Sequence, residues 1–336
     1  MKEYIQRLVE RKSLTGEEAK DAMRQIVLGE ATDAQIGAFL TALRMKGETV
    51  EEIAAFTSVM RSLCRRIRPR VNGRLVDTCG TGGDRVKTFN VSTASAFIVA
   101  GAGVPVAKHG NRSVTSRSGS ADVLEELGFN LNVEPERVEE MIEKVGIGFM
   151  FAPRFHPAMK HVAAPRKEIG VRTVFNILGP LTNPAEADGH VLGVYSRRWL
   201  IPVAEVLRRM GCVEAMVVYG LDGVDEISIT GKTVIAWLRN GDILVLELTP
   251  RDFGLKPAKP DEVAGAGPAE SAELIFKLFN DLLPRRDPRR NMALLNAAAG
   301  MIVGGMSDDF SYGVELAEES IKSGAAYGKL KDMIDF

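Results

Sequence analysis

The sequence predicts an α/β fold, with a small all-helical N-terminal domain followed by a large doubly wound α/β domain. Three observations support this prediction. The first 70 residues show only helical patterns, and from Leu75 onward short apolar runs alternate with amphipathic segments. A glycine-rich turn follows the first apolar run. In a doubly wound sheet such a turn lies at the C-terminal ends of the strands, where ligands bind.

The N-terminal helices are marked by three capping boxes, in which a threonine precedes Glu or Gln by three residues. The boxes are Thr15 with Glu18, Thr32 with Gln35, and Thr49 with Glu52. Gly29 and Gly47 lie where two of these helices should end. We therefore assign residues 1–70 to a small helical domain.

The remaining residues, 71–336, form the predicted large domain. Parallel strands are expected at residues 75–77, 104–107, 147–151, 191–195 and 215–219, with helices between them at 93–102, 121–127, 136–145 and 200–210. Residues 227–229, 233–238 and 243–248 alternate like antiparallel strands, with a turn at Asn240-Gly241. Further helices are expected at residues 271–283, 291–303 and 314–323.

An insert at about residues 155–185 interrupts this rhythm. It is rich in proline, and its segments 166–170 and 172–176 have helical character. We expect the insert to pack against the N-terminal helices and complete the small domain. The ligand site would then lie between the two domains.

Composition and charge exclude several classes of protein. The 336 residues include 43 Lys and Arg against 44 Asp and Glu, a balance that gives no support for a nucleic-acid or membrane-surface partner. Cys64, Cys79 and Cys212 form no Cys-x-x-Cys pair, which argues against a disulfide framework and a structural zinc site. His156 and His161 lack the spacing of a helical metal pair. The charged N-terminus lacks a secretory signal, so a cytoplasmic enzyme is expected.

The glycine-rich turn predicts a phosphate or diphosphate site. Residues 80–84 read GTGGD, and Ser92-Thr93 before an apolar segment is typical of a helix N-cap. Backbone N–H groups at such turns and helix starts bind anions. Lys108 and Arg112 follow the next strand and can close over the same anion. A merely structural turn is the alternative, but the hydroxyl cluster and Lys108 favour a binding site.

The spacing of these glycines excludes two common nucleotide-binding motifs. A P-loop requires glycine before its Lys-Ser/Thr pair, and this chain has Val86 before Lys87-Thr88. A dinucleotide fingerprint requires a third glycine where this chain has Arg85.

An acidic segment after the strand at residues 215–219 predicts a cation site. Asp222, Asp225 and Glu226 should emerge at the same edge of the sheet as the glycine-rich turn. Their carboxylates suit a hard cation that shares diphosphate oxygens. A plain acidic turn is the alternative, since Asp-Gly pairs are common in turns. The neighbouring phosphate site favours the metal.

Together, these motifs resemble those of the anthranilate phosphoribosyltransferase family. The resemblance rests on residues 77–84 (DTCGTGGD), 90–93 (NVST), 108–112 (KHGNR), the run from 156–159 (HPAM) to 179–184 (GPLTNP), and 222–226 (DGVDE). It implies a fold of the nucleoside phosphorylase/phosphoribosyltransferase type. It also implies transfer of the phosphoribosyl group of 5-phosphoribosyl diphosphate (PRPP) to the anthranilate amine, giving N-(5-phosphoribosyl)anthranilate and diphosphate in tryptophan biosynthesis. Mg²⁺ and a homodimer formed through the helical domain are further implications.

The same resemblance implies which residues form the site. PRPP would be bound by Gly80, Gly83, Asp84, Thr88, Asn90, Val91, Ser92, Thr93, Lys108, His109, Gly110, Asn111, Arg112, Ser113, Val114, Thr115, Ser116 and Ser120. Anthranilate would be bound by Gly80, Asn111 and Arg166, and Mg²⁺ by Ser92, Asp225 and Glu226. We expect no acid or base, because the chemistry mainly requires stabilisation of the departing diphosphate. His109 either lines the acceptor pocket or braces the Lys108 loop, and we favour the second role.

Two other functions are considered. A pyrimidine nucleoside phosphorylase of the same fold would use phosphate and a nucleoside, but phosphorolysis does not need the metal-bound diphosphate that residues 80–84 and Asp225-Glu226 suit. A non-catalytic nucleic-acid binder is disfavoured by the net charge of −1.

Overall fold

The structure is a computed structural model that describes residues 1–82, 88–113, 118–265 and 267–336. Its strands are β1 (Val76–Gly80), β2 (Val106–Gly110), β3 (Ile147–Phe151), β4 (Gly189–Gly193), β5 (Glu214–Gly220), β6 (Thr233–Arg239) and β7 (Asp242–Leu248). Its α-helices are α1 (Lys2–Val9), α2 (Gly16–Val27), α3 (Asp33–Lys46), α4 (Val50–Leu63), α5 (Val91–Gly101), α6 (Ser120–Glu126), α7 (Pro135–Val145), α8 (Ala152–Phe155), α9 (Lys160–Ile169), α10 (Phe175–Leu181), α11 (Leu200–Arg209), α12 (Pro268–Phe279), α13 (Pro288–Val303), α14 (Phe310–Lys322) and α15 (Ala325–Asp335).

The strands form one sheet in the order β3-β2-β1-β4-β5-β6-β7. The first five are parallel, and β6 and β7 add an antiparallel hairpin at one edge. Its turn is Asn240-Gly241, where both residues have positive φ, as a two-residue hairpin requires. The strand order changes direction beside β1, so the C-terminal ends of β1, β2 and β4 border the crevice where ligands bind in such sheets.

Helices cover both faces of the sheet, which confirms the doubly wound α/β fold. On one face α5 and α13 pack against strand residues that include Val76 and Val191. On the other face α11 packs against β5 and β6, in a core that includes Leu192 and Val217 and continues into the N-terminal helices. Within the described residues, no helix combines the length and the apolar composition needed to cross a membrane.

The insert contacts the N-terminal helices. Helix α9 packs on α2 and α3, and α10 packs on α4. Gly29 follows α2 with φ +77°, and a Cβ built there would lie 2.8 Å from Nδ1 of His161 in α9. The close contact between these two helices therefore depends on a position without a side chain.

Several predicted elements differ from the structure. The prediction of a strand at residues 227–229 is wrong: the backbone of Ile227 bonds to the Asn296 side chain, and Ser228 N–H donates to Thr233 Oγ1, so no partner strand is needed. Residues 172–174 lie outside helices α9 and α10, and α15 was not predicted. Strands β1 and β2 extend three residues beyond their predicted ends, which carries both of them into the cleft described below.

Glu52 links three helices of the N-terminal region. All three predicted capping boxes form, and the third places Glu52 against Thr49 N–H. The carboxylate also accepts from Leu14 N–H at 2.9 Å and pairs with the Lys46 ammonium at 2.7 Å. Both charged side chains are almost fully buried. The end of α3, the start of α4 and the segment before α2 therefore depend on one carboxylate.

Glu52→Gln should destabilise the helical region. The amide keeps the shape of the side chain but leaves the Lys46 ammonium buried without a countercharge, which costs about 3–5 kcal/mol. Urea unfolding followed by circular dichroism measures the change in the free energy of unfolding. Glu10→Gln, at an exposed ion pair with Lys12, is the control and should have little effect. Equal stability of Glu52→Gln and wild type would contradict this role.

Candidate active site

A cleft of about 310 Å³ opens at the C-terminal ends of β1 and β2. Every described residue that the resemblance assigns to substrate or metal lines it: Gly80, Thr88, Asn90, Val91, Ser92, Thr93, Lys108, His109, Gly110, Asn111, Arg112, Ser113, Ser120, Arg166, Asp225 and Glu226. Gly83, Asp84, Val114, Thr115 and Ser116 lie outside the described residues. Asn176 also lines the cleft but was not predicted. The nearest sequence feature that could have indicated Asn176 was the GPLTNP motif, which begins three residues later at Gly179.

The start of α5 faces the cleft, but its cap differs from the prediction. The helix begins at Val91, so Ser92 and Thr93 lie in its first turn instead of at the N-cap. Asn90 occupies the cap and its Nδ2 donates to Ser118 O at 3.3 Å. The Thr78 hydroxyl of β1 donates to Ser92 O at 2.8 Å, which fixes the helix start against the strand. The first-turn N–H groups of a helix suit an anion.

Lys108 is buried at the base of the cleft. Its Nζ donates to Thr78 O at 2.6 Å and lies 3.5 Å from Ser92 Oγ. Burial lowers the pKa of Lys108, and the carboxylates of Asp77 and Glu226 oppose this shift. The ammonium is therefore held at the junction of β1, β2 and α5, where it can contribute positive charge toward a bound anion.

Asp77 organises the strands beneath the cleft, a role that was not predicted. Its carboxylate accepts from His109 N–H at 3.2 Å and from Asn183 Nδ2 at 2.7 Å. Asn183 also donates to Ala107 O at 2.9 Å, so the segment after α10 is joined to both β1 and β2. Burial raises the pKa of Asp77 to about 6, against the influence of Lys108. The sequence signals were its place at the start of the DTCGTGGD motif and a polar side chain within an apolar strand.

Two buried histidine rings pack against each other at an angle beside the cleft. The ring centroids of His109 and His156 are 5.1 Å apart. Burial lowers the pKa of His156 to about 4 and that of His109 well below its usual value. Both rings are therefore neutral at pH 7. His109 lines the cleft, and its ring also packs on His156. Its position is therefore compatible with both roles considered for it, lining the pocket and bracing the Lys108 loop.

The acidic pair lies close against the sheet edge. The Asp225 and Glu226 side chains are largely buried, and Gly82 N–H donates to Asp225 Oδ2 at 2.9 Å. A Cβ built on Gly193 of β4 would lie only 1.5 Å from Asp225 O, and one on Gly80 2.6 Å from Asp225 Oδ2. The loop can approach β1 and β4 this closely only because both positions are glycine.

Asp222 does not join the acidic pair in the cleft lining. Its carboxylate accepts from the hydroxyls of Ser228, at 2.6 Å, and Thr230. The expectation that Asp222 would support a cation is thus replaced by a role in bracing the turn. The carboxylates of Asp225 and Glu226, with the Ser92 hydroxyl nearby, form an all-oxygen donor set that fits Mg²⁺.

Arg166 approaches the cleft from the insert. It extends from α9, and its guanidinium lies 5.2 Å from the centre of the Phe175 ring. Burial lowers its pKa from the ordinary value. Among the described residues Arg166 makes no ion pair, either with its neighbour Glu168 or with another carboxylate. A guanidinium held on an aromatic ring at a cleft wall is suited to a planar carboxylate.

Arg112 is already paired at the rim of the cleft. Its guanidinium bonds to both Glu125 oxygens, at 2.7 and 2.8 Å, and to Asp122 Oδ1 at 3.1 Å. A phosphate at this rim would share the guanidinium with two carboxylates of α6. Arg112 therefore supplies less net positive charge than its presence in the KHGNR motif indicates.

Two family models match the chain in succession. A glycosyl transferase family helical bundle domain matches residues 2–64, and a glycosyl transferase family a/b domain matches residues 72–327. An anthranilate phosphoribosyltransferase from Haloarcula marismortui is 53% identical over 335 residues, which cover 99% of this chain and 99% of the relative. The chain belongs to the anthranilate phosphoribosyltransferase family.

Solved structures of anthranilate phosphoribosyltransferases share the whole fold. The enzyme from Thermus thermophilus matches with a TM-score of 0.92 at 43% identity, covering 99% of this chain and 98% of that one. The enzyme from Saccharomyces cerevisiae in complex with PRPP and Mg matches with a TM-score of 0.92 at 30% identity, covering 99% and 96%. These findings confirm the prediction of a phosphoribosyltransferase over the nucleoside phosphorylase alternative.

Gly193→Ala should disrupt the acidic loop. The new Cβ would overlap the Asp225 carbonyl, so Asp225 and Glu226 must move, and a displacement of about 1 Å at a reacting centre costs about 100-fold in rate. The expected loss of transferase kcat/KM is measured by steady-state kinetics. Gly328→Ala is the control, because its Cβ would meet nothing within 4 Å. Full activity of Gly193→Ala would show that the loop is not fixed by this contact.

His190 should make stability depend on pH. Burial, with Arg61 nearby, lowers its pKa to about 3 from an ordinary value near 6.5. Between these values only the unfolded chain binds the proton, so stability is present above pH 6.5 and is lost as pH falls. The loss amounts to about 2 kcal/mol at pH 5.

Replacing the imidazole tests this prediction. In His190→Asn the difference in the free energy of unfolding between pH 7.5 and pH 5 should be smaller than in wild type by about that 2 kcal/mol. Urea titrations at the two pH values measure it. An identical pH dependence in the two proteins would count against a neutral His190.

Proposed function

We propose that this chain transfers the phosphoribosyl group of PRPP to the amine of anthranilate, in tryptophan biosynthesis, within the cleft above β1 and β2. The observation that carries the proposal is the convergence of three groups at one sheet edge. These are the first turn of α5, the buried Lys108 ammonium, and the Asp225-Glu226 pair, and Arg166 of α9 lines the same cleft. The first three suit a diphosphate and its cation, and the last suits a carboxylate.

The donor is assigned to the strand-end side of the cleft. Backbone N–H groups of the first turn of α5 and the Lys108 ammonium face the developing negative charge of the diphosphate. Ser92, Asp225 and Glu226 would hold Mg²⁺, because their oxygens match its preference. When bound, the ion supplies positive charge that stabilises the departing diphosphate. Gly83, Asp84 and residues 114–116 are proposed donor contacts on the resemblance alone.

The acceptor is assigned to the insert side. Arg166 would grip the anthranilate carboxylate in a bidentate pair, with Asn111 and the backbone at Gly80 beside it. An aromatic amine is neutral at pH 7, so it needs orientation and not deprotonation. The neutral His109 and His156 rings fit this chemistry, because they add no positive charge near a ribosyl carbon that becomes cationic.

The helical region is proposed as a separate small domain and as the dimer interface. Residues 1–70 with the insert at about 155–185 form the small domain, and 71–336 otherwise form the large one. Val9, Leu28 and Met45, at the ends of α1, α2 and α3, leave 64%, 52% and 73% of their surfaces exposed, and a second copy would cover these apolar side chains. A cytoplasmic location stays a prediction from the sequence.

The activity is tested with PRPP, Mg²⁺ and anthranilate, following the loss of anthranilate fluorescence. Loss should require all three components and should release one diphosphate for each anthranilate consumed. Uridine or thymidine with phosphate is the parallel sample. Cleavage of the nucleoside with unchanged anthranilate fluorescence would refute the proposal and indicate a phosphorylase.

Arg166→Ala should raise the KM for anthranilate about tenfold or more, because a charged hydrogen-bonded pair contributes about 1.5–3 kcal/mol. The KM for PRPP should stay within about twofold, since the donor lies on the other wall. Lys167→Ala, an exposed neighbour in α9, is the matched control. Equal increases in both KM values would refute the carboxylate grip.

A further inference from the structure

Asn296 is an exception within helix α13. From Met292 to Val303 every residue of this helix is buried, and every side chain except that of Asn296 is apolar or absent. Asn296 itself is 1% exposed. A buried carboxamide destabilises a core unless its hydrogen bonds are made, and an apolar side chain of similar size would avoid that cost. Its presence therefore calls for a role beyond packing.

The Asn296 carboxamide grips one residue of the acidic loop through both of its backbone groups. Ile227 N–H donates to Asn296 Oδ1 at 2.9 Å, and Asn296 Nδ2 donates to Ile227 O at 3.0 Å. A second bond from Nδ2 reaches Met292 O at 2.9 Å, one helical turn earlier. The side chain thus makes the two backbone hydrogen bonds that a neighbouring strand would otherwise make. These bonds fix the orientation of the peptide units on both sides of Ile227.

Ile227 directly follows Asp225 and Glu226. The sheet bounds the acidic pair on one side, through Gly193 and the Gly82 N–H bond. Helix α13 bounds it on the other, because Val224 and Ile227 are fully buried in the same core as Asn296's neighbours. Asp225 and Glu226 therefore lie between two rigid supports, and Asn296 provides the polar link to the second.

We infer that Asn296 is a positioning residue for the metal site, acting through Ile227 on Asp225 and Glu226. This inference rests on the proposed metal role of the acidic pair. It assigns Asn296 no contact with substrate. A purely structural role would lower stability alone, whereas a positioning role lowers metal affinity in protein that remains folded.

The test measures Mn²⁺ binding by electron paramagnetic resonance in the presence of inorganic diphosphate, with catalysis absent. Asn296→Leu should weaken Mn²⁺ binding about tenfold, the usual loss when the support of a metal ligand is removed. The KM for anthranilate should stay within about twofold, because the acceptor wall is untouched. Asn296→Asp keeps the acceptor for Ile227 N–H and loses the donor to Ile227 O, so it should also weaken Mn²⁺ binding. This variant replaces Asn296→Leu in the test if the leucine variant does not fold.

Two further variants separate the outcomes. Ser320→Ala removes a buried 2.8 Å bond to Ile98 O in the same large domain and should bind Mn²⁺ like wild type. Asp225→Asn with Glu226→Gln should lose most Mn²⁺ binding. If only this double variant weakens binding, the Asn296 inference is overturned and the metal role stands. If neither it nor Asn296→Leu weakens binding, both are overturned. Equal losses in Ser320→Ala and Asn296→Leu would also overturn the inference.

Discussion

A carboxylate buried in the middle of the sheet connects the two sides of the cleft. Asp77 joins β1 to β2 through His109 N–H, and it joins both strands to the insert through Asn183. Burying a carboxylate costs several kcal/mol unless partners offset it. Lys108 and Asn183 supply those partners. The strand side and the insert side of the cleft therefore share one buried charge, and the spacing between them depends on it.

The described side chains that line the cleft are held in place by contacts within the protein. Lys108 is held by Thr78 O, Arg166 lies on an aromatic ring, and Asp225 is fixed between glycines of two strands. Groups that are already oriented toward a developing charge stabilise it without the cost of reorganisation. Because the net charge of the whole chain is −1, the positive charges of Lys108 and Arg166 act locally and are not part of a general positive field.

Features set by local sequence could be predicted, and features set by distant partners could not. The capping boxes formed as expected because each involves residues three apart. The strand at residues 227–229 was wrong because the partner of Ile227 is a side chain 69 positions away. The cap at Ser92-Thr93 was wrong because Thr78, on a strand, fixes where α5 begins. All described residues carried over from the resemblance line one cleft. Asp77 and Asn183 support it from beneath, and although both lie in motifs of the resemblance, neither was assigned a role. Asn296 also supports it and lies in no motif.

The packing of α9 and α10 on the N-terminal helices has a consequence for synthesis on the ribosome. The insert helices that pack on α2, α3 and α4 lie more than 100 residues later in the chain, beyond β1, β2 and β3. The N-terminal helices emerge first but cannot bury these faces until α10 has left the exit tunnel. The nascent chain must therefore keep an apolar surface exposed while the first three of the seven strands are made, so this region gains its final packing late although it is translated first.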